Sequence, residues 1–497
     1  MLRRVLAPVS LLCCLVASDA VAQDLNSAQS IKQAIEQASA GDVLELEPGT
    51  YVFSGAIRTR NAGTEEAPIT LTSKAGGRAV LKFSGVEGLI VLHPHWVVRG
   101  IGIDGCAGGA CQAGLHIKPN ADHLLVEGNV LTNWTQHIKS SRTVEVGGGA
   151  NDVRVIGNEF YNTTPFTGRG STPIDVVGGD RWLIARNYVH DYGGSNNGNY
   201  GIFIKGVTRD SVIEQNLVVG YTSPEFKVGA SVGISFGGGG TGKQFVPNND
   251  NSCEDFNSIA RNNIVAQTTD AGLHTKRACG SKFYHNTVFD VGAGLQIQIN
   301  GAGDPVDIQR NIFQGRITGQ DNRTEQDNLI QASLADFTGA YTDPANLDFS
   351  LLSTQGALFG LARTDEVMLD YCDVMRAPDS TAYGAVSSQG CSTWPWTSRA
   401  QEPQMPSEDA SQDMDAMDAS EDMPPSEDQT PDTSNPSDTS PDAAEADMSA
   451  PDMSSPSPET EQDGCASASG AAPSPLGLLL GLVGVMFGVG RRLRTRS

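Results

Sequence analysis

The chain has 497 residues, with 58 acidic against 34 basic side chains and a net charge of −24. With no basic stretch between the leader and the last residues, an extended nucleic-acid footprint is excluded. The first element is a leader. Arg3 and Arg4 precede an apolar run over 5–17, and Ala20, Val21 and Ala22 supply small residues for cleavage. That order predicts a secretory signal peptide over 1–22, because the apolar run is too short to span about 30 Å of hydrocarbon.

Residues 23–396 are expected to form one domain. Residues 30–38, SIKQAIEQA, read as a short amphipathic helix. Beyond it, asparagines recur in one local setting, followed each time by an apolar or aromatic pair. They are Asn129, Asn158, Asn187, Asn216, Asn263, Asn286 and Asn311. A second series of short alternating strands accompanies them: 114–118, 144–148, 174–178, 201–205, 233–237, 272–276 and 294–298. No amphipathic helix separates these strands, which argues against βαβ units. The pattern predicts an all-β fold, a right-handed parallel β-helix solenoid with a short N-terminal capping helix. Each coil would stack about 4.8 Å from the next, and the asparagines would form a ladder at one corner.

Alternation along the second series divides inward from outward side chains. One outward column reads His116, Glu145, Asp175, Phe203, Ser235, His274 and Gln296. Its neighbour reads Lys118, Gly147, Val177, Lys205, Gly237, Lys276 and Gln298. Glu145 and Asp175, placed on adjacent coils, are the expected Ca²⁺ ligands. Lys276, Lys205 and His274 are the candidate catalytic residues, with Lys276 as the base because His274 and Arg277 flank it. His116, Lys118, Gln296 and Gln298 are candidate substrate contacts. The same polar column also fits a plain solvated face, with ion pairs worth about 0–1 kcal/mol each. The run GGGGTGK at 237–243 is not a phosphate loop, because Gln244 follows the lysine and no helix opens there.

The segments at 41–51, 68–85 and 95–105, with 343–352 near the far end, resemble pectate-lyase-like β-helix proteins, including chondroitinase B and alginate lyases. GLHTKRACGSKFYHNTVF at 272–289 resembles the Asn-Lys-Ser strand of alginate-lyase-like proteins, with Lys276 on the catalytic lysine. Thr275 stands where that motif has asparagine, and Gln298 where it has arginine. The resemblance implies a polysaccharide partner and cleavage of an acidic glycan by β-elimination. A non-catalytic glycan-binding or adhesion protein remains the alternative. So does a glycoside hydrolase using Glu145 and Asp175 as its carboxylate pair. The protein is expected to be a monomer.

Residues 397–463 form an acidic linker; 401–463 carry 19 acidic residues and no Lys or Arg. Such a stretch cannot bury enough apolar surface to fold. Residues 464–497 hold Cys465, an apolar run and Arg491, Arg492, Arg494 and Arg496. This three-part order resembles the myxobacterial type of C-terminal sorting signal, which implies a membrane anchor at Cys465 and a place at the cell surface, in the outer membrane. Six cysteines of the folded part, in an exported chain, are expected to pair as Cys106–Cys111, Cys253–Cys279 and Cys372–Cys391. Substituting Cys465→Ala should release the protein or leave the tail uncut. Unchanged surface retention at unchanged mass, read by fractionation and mass spectrometry, overturns the anchor.

Overall fold

The computed structural model describes residues 25–389 except 144–147, 196–197, 239–240, 242–252, 299–304, 320–321 and 354–357. The leader, the acidic linker, Cys391 and Cys465 lie outside the described residues. No described helix is long and apolar enough to cross a membrane.

The domain is a parallel β-helix. One helix, α1 (Ala28–Gln37), opens it. Ser27 and Ser30 form a capping box at its start, and Ile31, Ala34 and Ile35 are buried against the first coils. Each following coil contributes to three rows of strands. The first row is an 11-stranded sheet running from Val43–Leu46 to Arg323–Gln326. The second and third rows belong to one 19-stranded sheet, because Ile264–Lys276 and Thr287–Gln298 run through both. Every described pairing in these two sheets is parallel. Stacked apolar side chains fill the interior. Leu89, Leu115, Ile138, Ile174, Ile202, Ile234, Leu273 and Leu295 form one fully buried file.

The expected asparagine ladder is present at the corner between the first and second rows. Each side-chain amide donates to the next asparagine's Oδ1 at 2.9–3.0 Å, from Asn129 through Asn311. Asn328 adds an eighth rung, 17 residues after Asn311 and at 2.9 Å. The residue before each rung turns the chain in the left-handed region, as at Gly128 (φ 61°) and Arg186 (φ 57°). That left-handed residue lets a strand end and another begin with only two residues between them.

Two features differ from expectation. The strand beneath Ile174–Val177 is Gln136–Ser140, not 144–148. Ile138 pairs with Ile174 and Lys139 with Asp175. Residues 144–147, Glu145 among them, lie outside the described residues. The C-terminal segment also does more than close the last coil. Phe337, Tyr341, Phe349, Leu351 and Tyr371 cover the outer side of the second row over Leu217, Ile264, Ala266 and Phe289. Buried Arg376 ties this segment to the helix, donating to Asn262 Oδ1 (2.6 Å) and to the carbonyls of Gly384 and Ala385. Cys106–Cys111 and Cys253–Cys279 are bonded as expected. Cys372 is also in a disulfide.

Asn187 makes four ladder bonds. It accepts from the Asn158 backbone and amide and donates to Val155 O and Asn216 Oδ1. Asn187→Ala leaves buried partners unsatisfied, so it should cost about 3 kcal/mol. Denaturant unfolding checks this, and a loss near zero contradicts a structural role for the ladder.

Candidate functional site

The third row presents the open face. Its outward column is His116, Lys139, Asp175, Phe203, Ser235, His274, Gln296 and Thr318, in consecutive register. Alternation puts Lys118, Ser141, Val177, Lys205, Gly237, Lys276 and Gln298 in the next column. Eight candidate residues therefore do share one face: His116, Lys118, Asp175, Lys205, His274, Lys276 with Gln298 beside it, and Gln296 between His274 and Thr318.

The position next to Asp175 expected for Glu145 belongs to Lys139. Asp175 is buried between Lys139 Nζ (2.6 Å) and Lys205 Nζ (3.3 Å). Burial pushes its carboxyl upward, but the two lysines outweigh that and hold it below the usual range. Lys205 also sits 4.0 Å from the Phe203 ring centroid, and Tyr200 stacks on that ring at 4.2 Å. This donor set does not fit Ca²⁺. Asp175 already has an ammonium against each oxygen, and Glu145, the other expected ligand, lies outside the described residues.

His274 is buried and neutral. Its Nδ1 lies 2.7 Å from Ser235 Oγ, whose own proton goes to Gly237 O. Nδ1 therefore carries the hydrogen and Nε2 the lone pair. Burial, then the Lys276 charge, pushes the imidazole down to about 4. Arg277, the other expected neighbour of Lys276, is paired at 3.1 Å with buried Glu254. The two cations expected to flank Lys276 are thus a neutral ring and a guanidinium paired with a carboxylate. Lys276 itself is half-buried and has no carboxylate partner among the described residues.

At the other end of the face, a groove of about 420 Å³ is lined by Glu87, Gln112, His116, Gln136 and Lys139. His116 Nδ1 contacts Glu87 Oε1, its Nε2 contacts Ser141 Oγ at 2.6 Å, and Lys118 Nζ lies 3.1 Å from the same nitrogen. Burial, against the pull of Glu87, pushes the His116 imidazole down; burial also lowers the Lys118 ammonium. Lys139, Glu87 and Ser141 were not visible as site residues in the sequence. The repeated HIK at 116–118 and 137–139 was the available signal, but the true pairing sets Leu115 against Ile138.

No family model and no curated protein matches the chain. Solved structures do. The crystal structure of pectate lyase Pel9A is 17% identical, covering 71% of this chain and 90% of its own, with a TM-score of 0.52. An alginate lyase from Paenibacillus sp. str. FPU-7 is 15% identical over 62% of this chain and 96% of its own, at 0.37. A lacto-N-biosidase from Eubacterium ramulus is 12% identical over 62% and 67%, at 0.42. The fold is a pectate-lyase-like parallel β-helix. At these identities the likeness carries the fold and nothing of the chemistry.

Buried neutral histidines give the domain a pH-dependent stability. His137 and His274 are each pushed down to about 4 by burial, and His285 well below its ordinary value. The unfolded imidazoles bind protons near pH 6.5, so the unfolded state holds more protons between about pH 6.5 and about 4, and stability falls across that window as pH drops. At ~1.4 kcal/mol per pH unit, His137 and His274 each contribute on the order of 3 kcal/mol. His190 acts oppositely: burial lowers it, but Asp191 and Glu159 outweigh that and raise it. Its contribution is present below about pH 6.5 and offsets part of the loss. Thermal melts should show Tm falling across this window; a flat or rising Tm contradicts the buried neutral set.

Proposed function

We propose that the protein acts on an acidic polysaccharide lying along the third row, cleaving it by β-elimination. The observation that carries this reading is the line of lysines on one open face, Lys118, Lys139, Lys205 and Lys276, on the scaffold that pectate lyase Pel9A also has. Ammonium groups suit a polymer with a carboxylate on its sugars, because they can neutralise that charge. Lys205, held over Phe203 and against Asp175, is placed to bind a uronate carboxylate. Neutralising that carboxylate acidifies the C5 proton. Lys276 removes it, the C4–C5 double bond forms, the C4–O bond to the leaving sugar breaks, and water protonates the departing oxygen, its hydroxide taking the proton back from Lys276. With His274 neutral and Arg277 paired, Lys276 is the amine on this stretch that meets the polymer without a carboxylate partner among the described residues. In the cell this activity would be displayed at the surface, held through Cys465.

The test is mixing the full-length protein with pectate, alginate and glycosaminoglycans while following ultraviolet absorbance of the unsaturated uronate. Lys276→Ala should lower turnover by roughly 10²–10⁴-fold, the usual contribution of a general base, with glycan binding nearly intact. Lys205→Ala should weaken binding. The wild-type rate should climb toward alkaline pH. New reducing ends without absorbance make the protein a hydrolase, and binding without either product makes it an adhesin.

A further inference from the structure

The groove end of the third row holds a constellation that elimination does not use. Glu87 in strand Glu87–Val91, His116 in strand Ala113–Ile117 and Ser141, one residue past strand Gln136–Ser140, sit on three successive coils. The stacking brings carboxylate, imidazole and hydroxyl into one line. Glu87 accepts at Nδ1, since a carboxylate has no proton to give. Nδ1 therefore carries the ring hydrogen, and Nε2 presents its lone pair to the Ser141 hydroxyl at 2.6 Å. The ring is buried, which fixes its orientation, while Ser141 is only half-buried and its hydroxyl has no other side-chain partner among the described residues. A nucleophile, a base touching it and a group orienting that base are the parts of a hydrolytic serine site. Lys118 adds a cation at the same ring nitrogen, 3.1 Å away. It competes with Ser141 for the lone pair in the free protein. Once a substrate anion draws it off, it stands beside the place where negative charge would build on an attacked carbonyl oxygen.

We propose that Ser141, His116 and Glu87 form a second active site that hydrolyses O-acyl esters, acetyl the smallest, on sugars of a polymer held in the groove. Ser141 Oγ attacks the ester carbonyl carbon as His116 Nε2 takes the hydroxyl proton. The tetrahedral adduct collapses, the bond between the acyl carbon and the sugar oxygen breaks, and His116 returns the proton to that oxygen. Water then attacks the acyl-Ser141 carbonyl, giving its proton to His116, and the carboxylic acid leaves as Ser141 is re-protonated. Ester and water become alcohol and acid, with no other reactant. The sugar part of this assignment rests on the polysaccharide reading above; the serine chemistry does not.

The experiment uses the full-length protein and a fluorophosphonate, which bonds an activated serine oxygen with loss of fluoride. Peptide mapping should find the adduct on Ser141. The labelling rate should fall by about 10²-fold or more in His116→Gln, the size of a lost general base, while the variant keeps the wild-type circular dichroism and Tm. Labelling of wild type that is absent, lands on other serines, or is undiminished in His116→Gln overturns the site. Acetate release is then followed from an acetylated acidic glycan and from an aryl acetate. Release from both supports the full proposal. Ser141 labelling with hydrolysis of the aryl acetate alone keeps the serine site and overturns its glycan substrate. Elimination lost with esterase intact separates failure of the lyase reading from failure of this one.

Discussion

The parallel stacking of coils, locked at one corner by asparagine amides, is the constraint on which the rest of the structure depends. Each amide satisfies a backbone carbonyl of the preceding coil and the Oδ1 of the following asparagine. An unpaired polar group there would be buried without water, so the rungs cannot slip. Fixing that corner fixes the register of all three rows. Coil length then varies from 17 to 47 residues between rungs, and the surplus is confined to connections elsewhere. Function follows from that division: the rows align side chains at about 4.8 Å intervals, and the connections decorate their edges.

Alignment also brings like charges together, and the face answers with local pairing. Asp175 lies between Lys139 and Lys205, and Glu254 holds Arg277. His137, His274 and His285 are kept uncharged by burial. Removing the carboxylate from such a buried trio would strand two ammonium groups, which costs far more than an exposed pair gives. What remains available to a ligand is therefore selective. Lys276, without a carboxylate partner among the described residues, and Lys118 stand at the edges of these clusters, and Lys205 reaches a ligand only from its place against Asp175. The second row offers no equal face in the later coils, because the C-terminal segment covers it.

The ladder was legible because its chemistry is confined to a two-residue corner, where only asparagine both accepts and donates along the stack. Seven of the eight rungs were read from their spacing, and Asn328 escaped because its coil is only 17 residues long. The third row was harder. It follows the ladder through connections of unequal length, so an even step of about 30 residues put Glu145 beside Asp175, where Lys139 belongs. That single slip exchanged an anion for a cation and turned a calcium site into an ion-pair cluster. His116, Lys118, Lys205, His274 and Lys276 were placed on the right face because their strands carry clean alternation on both flanks. Glu87 and Ser141 had no such signal. Glu87 begins its strand and Ser141 lies just beyond the end of another, where alternation ceases to say which way a side chain points.

The two ends of the face are separated by five coil steps, from His116 to His274. At about 4.8 Å per step this is roughly 24 Å, too far for a shared atom and too far for one sugar. Electrostatic influence between them is weak as well, since the span exceeds the roughly 8–10 Å over which exposed charges act in physiological salt. Any coupling must therefore run through the substrate. On the two proposed activities a short ester would meet Ser141 alone and a short uronide Lys276 alone, whereas a polymer long enough to lie across six coils would meet both. Acyl groups near the reacting sugar would obstruct the approach of Lys276, so under the two proposals their removal at the His116 end of the face would prepare chain for elimination at the His274 end. The solenoid makes such an order simple to build, because adding or losing a coil changes the distance between two sites without disturbing the geometry inside either one.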